Sequence, residues 1–176
     1  MKKQFIIWLA AISMAACVLS YATAKTNGVT VQLKNAAGES IGTATLTPIN
    51  SKGGVRIKLN VKNLEPGQHG IHFHQMAMCE GPKFTSAGAH FNPDSKMHGL
   101  QNPQGPHAGD MLNFTVSAKG TSTATLTDTR VNLGSDNHSL YSNGGTSLVI
   151  HAKADDLKTD PSGNSGDRIA CGVISK

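Results

Sequence analysis

Apolar and polar residues alternate along several short stretches of the chain. Val29, Val31 and Leu33 are separated by polar neighbours, and Val55, Ile57, Leu59 and Val61 repeat the pattern around Arg56, Lys58 and Asn60. A period of two sends every second side chain to one face, the mark of a strand with one buried side. Ile41, Ala44 and Leu46 among threonines indicate a strand over 41–47, and 69–74, 111–118, 122–129, 147–152 and 168–174 complete a set of eight. Turn residues punctuate them at Asn35 to Gly38, Ser51 to Gly54 and Pro66-Gly67. Short strands joined by glycine-rich turns, with almost no helix, predict an all-β sandwich or barrel. Residues 75–110 and 153–167 break the pattern. Long irregular segments inside a compact domain are usually functional or disordered. The first holds a cysteine and several potential ligands, which predicts a loop held by metal and disulfide.

Composition agrees with a turn-rich β protein of one domain. The chain has 176 residues, 19 of them glycine, and only 15% are charged against a usual value of about 25%. The N-terminus is expected to be removed. Lys2 and Lys3 precede an apolar run from Phe5 to Leu19, and Ala22-Thr23-Ala24 offers small residues for cleavage, so residues 1–24 read as a signal peptide and 25–176 as the domain. The run is shorter than a membrane span of about 20 residues, so no span is expected and the protein is expected to be periplasmic or secreted. Cys17, after Ala15 and Ala16, leaves a lipoprotein as the minor alternative. Losing Lys2 and Lys3 takes the formal charge from +5 to +3, and the remaining basic residues are scattered, which argues against nucleic acid as a partner. With Cys17 in the signal, Cys79 and Cys171 are left in an oxidising compartment and read as a disulfide.

The chemistry sits in eight histidines. His72 and His74 lie two apart on a strand, so both rings leave the same face and can reach one ion. His90, His98, His107 and Asp110 follow inside the irregular segment, and His151 ends the apolar strand that begins at Ser147. A nitrogen-rich set suits copper, and three imidazoles with one carboxylate suit tetrahedral zinc. Spacing alone does not say which histidine serves which ion. His69 and His138 fall outside the correlated set and read as structural.

Ordered motifs then make a resemblance specific. His69-Gly-Ile-His-Phe-His-Gln75, Ser86-Ala-Gly-Ala-His-Phe-Asn-Pro93, His98-Gly, Gly105-Pro-His-Ala-Gly-Asp110, Leu148-Val-Ile-His-Ala-Lys-Ala-Asp-Asp-Leu157 and Gly163-Asn-Ser-Gly-Asp-Arg-Ile-Ala-Cys-Gly-Val-Ile174 together resemble the copper/zinc superoxide dismutase family over nearly the whole of residues 25–176. The resemblance implies an eight-stranded Greek-key β-barrel, an immunoglobulin-like sandwich with two long functional loops. It implies copper at His72, His74, His90 and His151, zinc at His90, His98, His107 and Asp110, and His90 as the shared bridge. Arg168 matches the active-site arginine, Asp155 the carboxylate linking ligands of the two metals, and Cys79 with Cys171 the disulfide. The implied activity is dismutation of the superoxide anion, with His90 and Arg168 as its catalytic residues.

Two segments depart toward bacterial exported members: Glu80-Gly-Pro-Lys-Phe-Thr85, and Leu100-Gln-Asn-Pro-Gln-Gly after His98. Residues 158–167 form a shorter loop than in cytosolic animal enzymes and lack a Glu-Glu-Lys cluster, which leaves substrate steering to Lys153, Lys158 or another lysine. Both monomer and homodimer are compatible with the resemblance. A non-enzymatic copper and zinc reservoir is the alternative function, but storage has no use for a cation such as Arg168 beside copper. A zinc hydrolase needs a zinc position open to water, which four protein ligands close.

Overall fold

The computed structural model describes residues 28–50 and 53–176. The signal over 1–24, including Cys17, lies outside the described residues. Nine strands run in the order β1 Val29–Asn35, β2 Ser40–Asn50, β3 Gly53–Val61, β4 Gly67–His69, β5 Ile71–His74, β6 Phe114–Val116, β7 Ser122–Asp128, β8 Thr146–His151 and β9 Arg168–Ile174, with two short 3₁₀ turns at Thr85–Ala87 and Ser142–Gly144. The all-β expectation holds. Among the described residues no helix is long and apolar enough to cross a membrane.

Seven strands form one antiparallel sheet in the order β5-β8-β9-β1-β2-β3-β7, and β4 pairs with β6 in a separate ribbon. The alternation read from sequence sets the inward face. Val55, Ile57, Leu59 and Val61 of β3 are buried, whereas Arg56, Lys58 and Asn60 are exposed. They join Val31, Leu33, Ile41, Leu46, Phe73, Leu148 and Ile150 in one core.

Nine strands stand where eight were expected, because the run 69–74 divides at Gly70. His69 pairs with Phe114 of β6, whereas Ile71 pairs with Ile150 of β8. Gly70 is also tightly enclosed: a Cβ there would stand 3.1 Å from the Ser165 Cβ and 3.3 Å from the His72 ring. The expected strand over 111–118 shrinks to Phe114–Val116.

Candidate metal centre

β5 and β8 are buried on both faces, and this creates the site. Ile71, Phe73, Leu148 and Ile150 point into the core. Alternation therefore turns His72, His74, Val149 and His151 to the other face, beneath the irregular segments. Because β5 pairs with β8, the rings of His72 and His151 lie 4.8 Å apart and those of His74 and His151 5.7 Å apart. The segment 75–110 folds back over this face. Phe91 N–H donates to the Phe73 carbonyl at 2.8 Å, and a bridge pairs His90 with His74, which stacks the His90 ring on His72 at 4.1 Å. The expected Cys79–Cys171 disulfide fastens the same segment to β9, and Phe84, Ala87 and Val149 pack beside it.

Each ring in this first cluster has one nitrogen committed to the protein. His72 Nε2 donates to Asp155 Oδ2 at 2.7 Å, His74 Nδ1 to the Gly88 carbonyl at 2.9 Å, and His151 Nδ1 to the Gly166 carbonyl at 3.2 Å. The opposite atoms, His72 Nδ1, His74 Nε2 and His151 Nε2, are buried without a partner, as is His90 Nε2. Ligand atoms of these four residues lie within 4.8 Å of one another. A buried imidazole nitrogen without a partner is costly unless something accepts its lone pair, so the set fits a metal ion. Burial holds the rings neutral and ready to ligate. It lowers His72, drives His74 well below its usual range, and brings His90 to about 4 and His151 to about 3.

On the other side of the His90 ring a second cluster forms around Asp110. Asp110 Oδ1 lies 2.9 Å from His90 Nδ1, 3.0 Å from His98 Nδ1 and 3.3 Å from His107 Nδ1, and His107 Nδ1 lies 3.4 Å from His90 Nδ1. Four ligands about 2.0 Å from a tetrahedral ion stand about 3.3 Å apart, so the spacing suits zinc. The main-chain N–H groups of Gly99 and His107 hold Asp110 Oδ2 at 2.9 and 3.0 Å. Burial works against the charge on Asp110, but hydrogen bonds from His107, His90 and His98 outweigh it and keep the carboxyl well below the usual range. His98 goes the opposite way: burial opposes its charge, yet Asp110 and Asp155 raise it to about 9.

Asp155 joins the clusters. One oxygen takes His72 Nε2, and the other takes His98 Nε2 at 3.1 Å. Its main chain is clamped by Asn113, which accepts from the Asp155 N–H and donates to its carbonyl, both at 2.8 Å. Gly163 closes over the carboxylate with φ +63°, and a Cβ there would collide with Asp155 and stand 2.8 Å from His98 Nε2.

Arg168 opens β9 opposite His151. Its two terminal nitrogens donate to the carbonyls of Phe84 and Gly88, each at 2.7 Å, and burial lowers its pKa. It lines a cleft of about 470 Å³ with Pro82, Lys83, Thr85, Gly166 and Asp167.

Of the eight histidines, six fall in the two clusters. His69 spans the carbonyls of His151 and Glu65 at 2.7 and 2.8 Å, and His138 contacts the Arg130 carbonyl and Asp94, so both stand apart as expected. Lys83 in the cleft, Asn113, and Asp160, whose Oδ1 accepts the His98 N–H at 2.6 Å, carried no signal in the sequence. The lysines at 153 and 158, expected to steer, are not among the residues lining the cleft.

Residues 40–174 match the family model described as copper/zinc superoxide dismutase. A relative named superoxide dismutase [Cu-Zn] 2, from Aquifex aeolicus, is 50% identical over 145 residues, covering 81% of this chain and 84% of that one. The solved structure of a SOD-like protein from Bacillus subtilis is similar with a TM-score of 0.79 at 37% identity, covering 82% of this chain and 97% of that one. That of the Cu/Zn superoxide dismutase from Brucella abortus is similar with a TM-score of 0.70 at 29% identity, covering 85% and 100%.

Proposed function

Because this chain belongs to the copper/zinc superoxide dismutase family, its reaction is the dismutation of superoxide with copper and zinc as cofactors, and we propose that two adjoining sites sharing His90 carry it out. Copper is held by His72, His74, His90 and His151, and zinc by His90, His98, His107 and Asp110. The observation that carries this reading is that four histidines whose ligand atoms lie within 4.8 Å of one another each keep one buried ring nitrogen without a partner.

Copper supplies one-electron redox cycling, and zinc, which has no redox chemistry, a fixed charge. Two superoxide ions and two protons give one dioxygen and one hydrogen peroxide. Arg168 presents its guanidinium in the cleft, where it attracts the small anion and orients it toward the copper ligands. Its anchors at Phe84 and Gly88 keep that charge from drifting. Lys83 lines the same cleft and adds a second positive charge there, against the one negative charge of Asp167. His90 Nε2 is the atom that takes up a proton and hands it to the reduced product, while His90 Nδ1 stays on the zinc side and holds the ring in place. Asp155 fixes the tautomers of His72 and His98 together.

The protein is exported, with residues 1–24 removed and 25–176 forming the domain. The charged and apolar N-terminus and the Cys79–Cys171 bond support this. The mass of the purified protein is expected to begin at Lys25, and tryptophan emission to be absent, since Trp8 is the only tryptophan.

The direct test is the decay of superoxide with protein loaded with both metals. His74→Ala and His151→Ala are expected to bring the rate to background and lower copper content while zinc stays. An active His151→Ala protein with full copper content would remove the copper assignment.

A further inference from the structure

The main chain around Asp110 is attached on two sides. The carbonyl of its neighbour Gly109 accepts from the Phe73 N–H at 3.0 Å, which fixes the segment to β5. The carbonyl of Asp110 itself accepts from Nη2 of Arg130, two residues beyond the end of β7. β5 and β7 are the two outer strands of the seven-stranded sheet, so this side chain crosses from one edge of the sheet to the other. The same Nη2 lies 3.0 Å from Oδ1 of Asp128, which is fully buried at the end of β7 and also accepts the Arg130 N–H at 2.9 Å. The Arg130 carbonyl is in turn held by His138 Nδ1 at 2.7 Å.

This pair is a poor stabiliser. Asp128 Oδ2 and the Arg130 Nε atom are buried without a partner although the rest of the Arg130 side chain is partly exposed, and such a half-satisfied pair contributes little net stability. What it does supply is a fixed donor for one carbonyl. We propose that Arg130, seated by Asp128, is a positioning residue for the zinc ligand Asp110, setting where its main chain stands so that Oδ1 meets the three Nδ1 atoms at ligand spacing. The inference rests on the zinc assignment given above.

Charge and position make opposite forecasts here. If the positive charge of Arg130 were what zinc felt, removing it would tighten binding of a dication. If the tether matters, removing it weakens binding, typically about 10–100-fold for a group holding a metal ligand.

The test is zinc affinity by chelator competition on the full protein, together with the visible spectrum of cobalt placed in the zinc site. Arg130→Met is expected to weaken zinc by about tenfold or more and to change the cobalt spectrum, with the copper resonance spectrum unchanged. Asp128→Asn, which keeps the shape, is expected to act in the same direction, and the double variant to be no worse than the worse single one. Zinc affinity within twofold of the parent, tighter zinc, or equal disturbance of the copper signal would each overturn the proposal. Asp128→Asn provides the answer if Arg130→Met does not fold. Asp110→Asn serves as the separate control: if it leaves zinc bound as before, the zinc assignment itself fails, whatever Arg130 does.

Discussion

The two pockets on either side of the His90 ring are both rich in histidine, yet His151 on one side and His98 on the other behave in opposite ways toward protons. On the side proposed for copper four imidazoles meet with no carboxylate among them, and burial keeps His90 and His151 neutral down to about 4 and 3. On the side proposed for zinc one carboxylate sits at the centre, and it and Asp155 raise His98 to about 9 despite burial. In the metal-free protein His98 therefore carries a proton across the neutral range, whereas His151 takes one only in strong acid. The lesson is that carboxylates beside a ring, set against its burial, decide whether that ring holds a proton.

The most severe way to break this contrast is Asp110→Asn, which takes the one carboxylate from the cluster of His90, His98, His107 and Asp110. Zinc affinity should fall by more than the roughly 100-fold that outer-lying partners cost, while copper content, measured on the same sample, stays near the parent. Asp155→Asn comes next, and because Asp155 holds both His72 and His98, it should weaken both metals by about 10–100-fold. A loss confined to one metal would show that the bridge serves only one pocket. Arg168→Glu sharpens the copper side without touching a ligand: superoxide decay should slow roughly tenfold or more at low salt, the difference should shrink at high salt, and copper should remain bound. An unchanged rate at low salt would remove the steering role.

The smallest effects should appear in pH titrations. Metal content measured from pH 7 downward should show zinc leaving before copper, and copper leaving first would invert the comparison. In the metal-free protein the signs also differ. His98 has its pKa raised above the unfolded value of about 6.5, so its contribution to folding is full below about 6.5 and is lost as pH rises through about 9. His90 and His151 are depressed, so their contribution is full above about 6.5 and is lost as pH falls through about 4 and 3. Calorimetric melting of the metal-free protein across that range tests both slopes.

Much of this was legible in the chain. Period-two alternation marked the inward residues of β3, because those side chains face one core and their neighbours face water. It marked β5 and β8 less clearly, since both of their faces are covered. The pair His72 and His74 was readable from the same periodicity, and the long loop ligands from ordered motifs. The break at Gly70 was not, because a single glycine does not announce which partners the two halves of a strand will take. Lys83, Asn113 and Asp160 were also silent: Asn113 and Asp160 bond to residues far apart in sequence, Lys83 comes beside Arg168 only in the folded cleft, and none belongs to a residue pattern with chemistry of its own.

One oxygen atom in the centre has two masters. The Gly88 carbonyl receives both His74 Nδ1 and Arg168 Nη2, so the angle of a copper-side ring and the seat of the anion-attracting charge are set by the same peptide. A tilt of this peptide would therefore move the His74 ring and the Arg168 guanidinium together, whereas exchanging the arginine side chain alone leaves the ring's anchor in place.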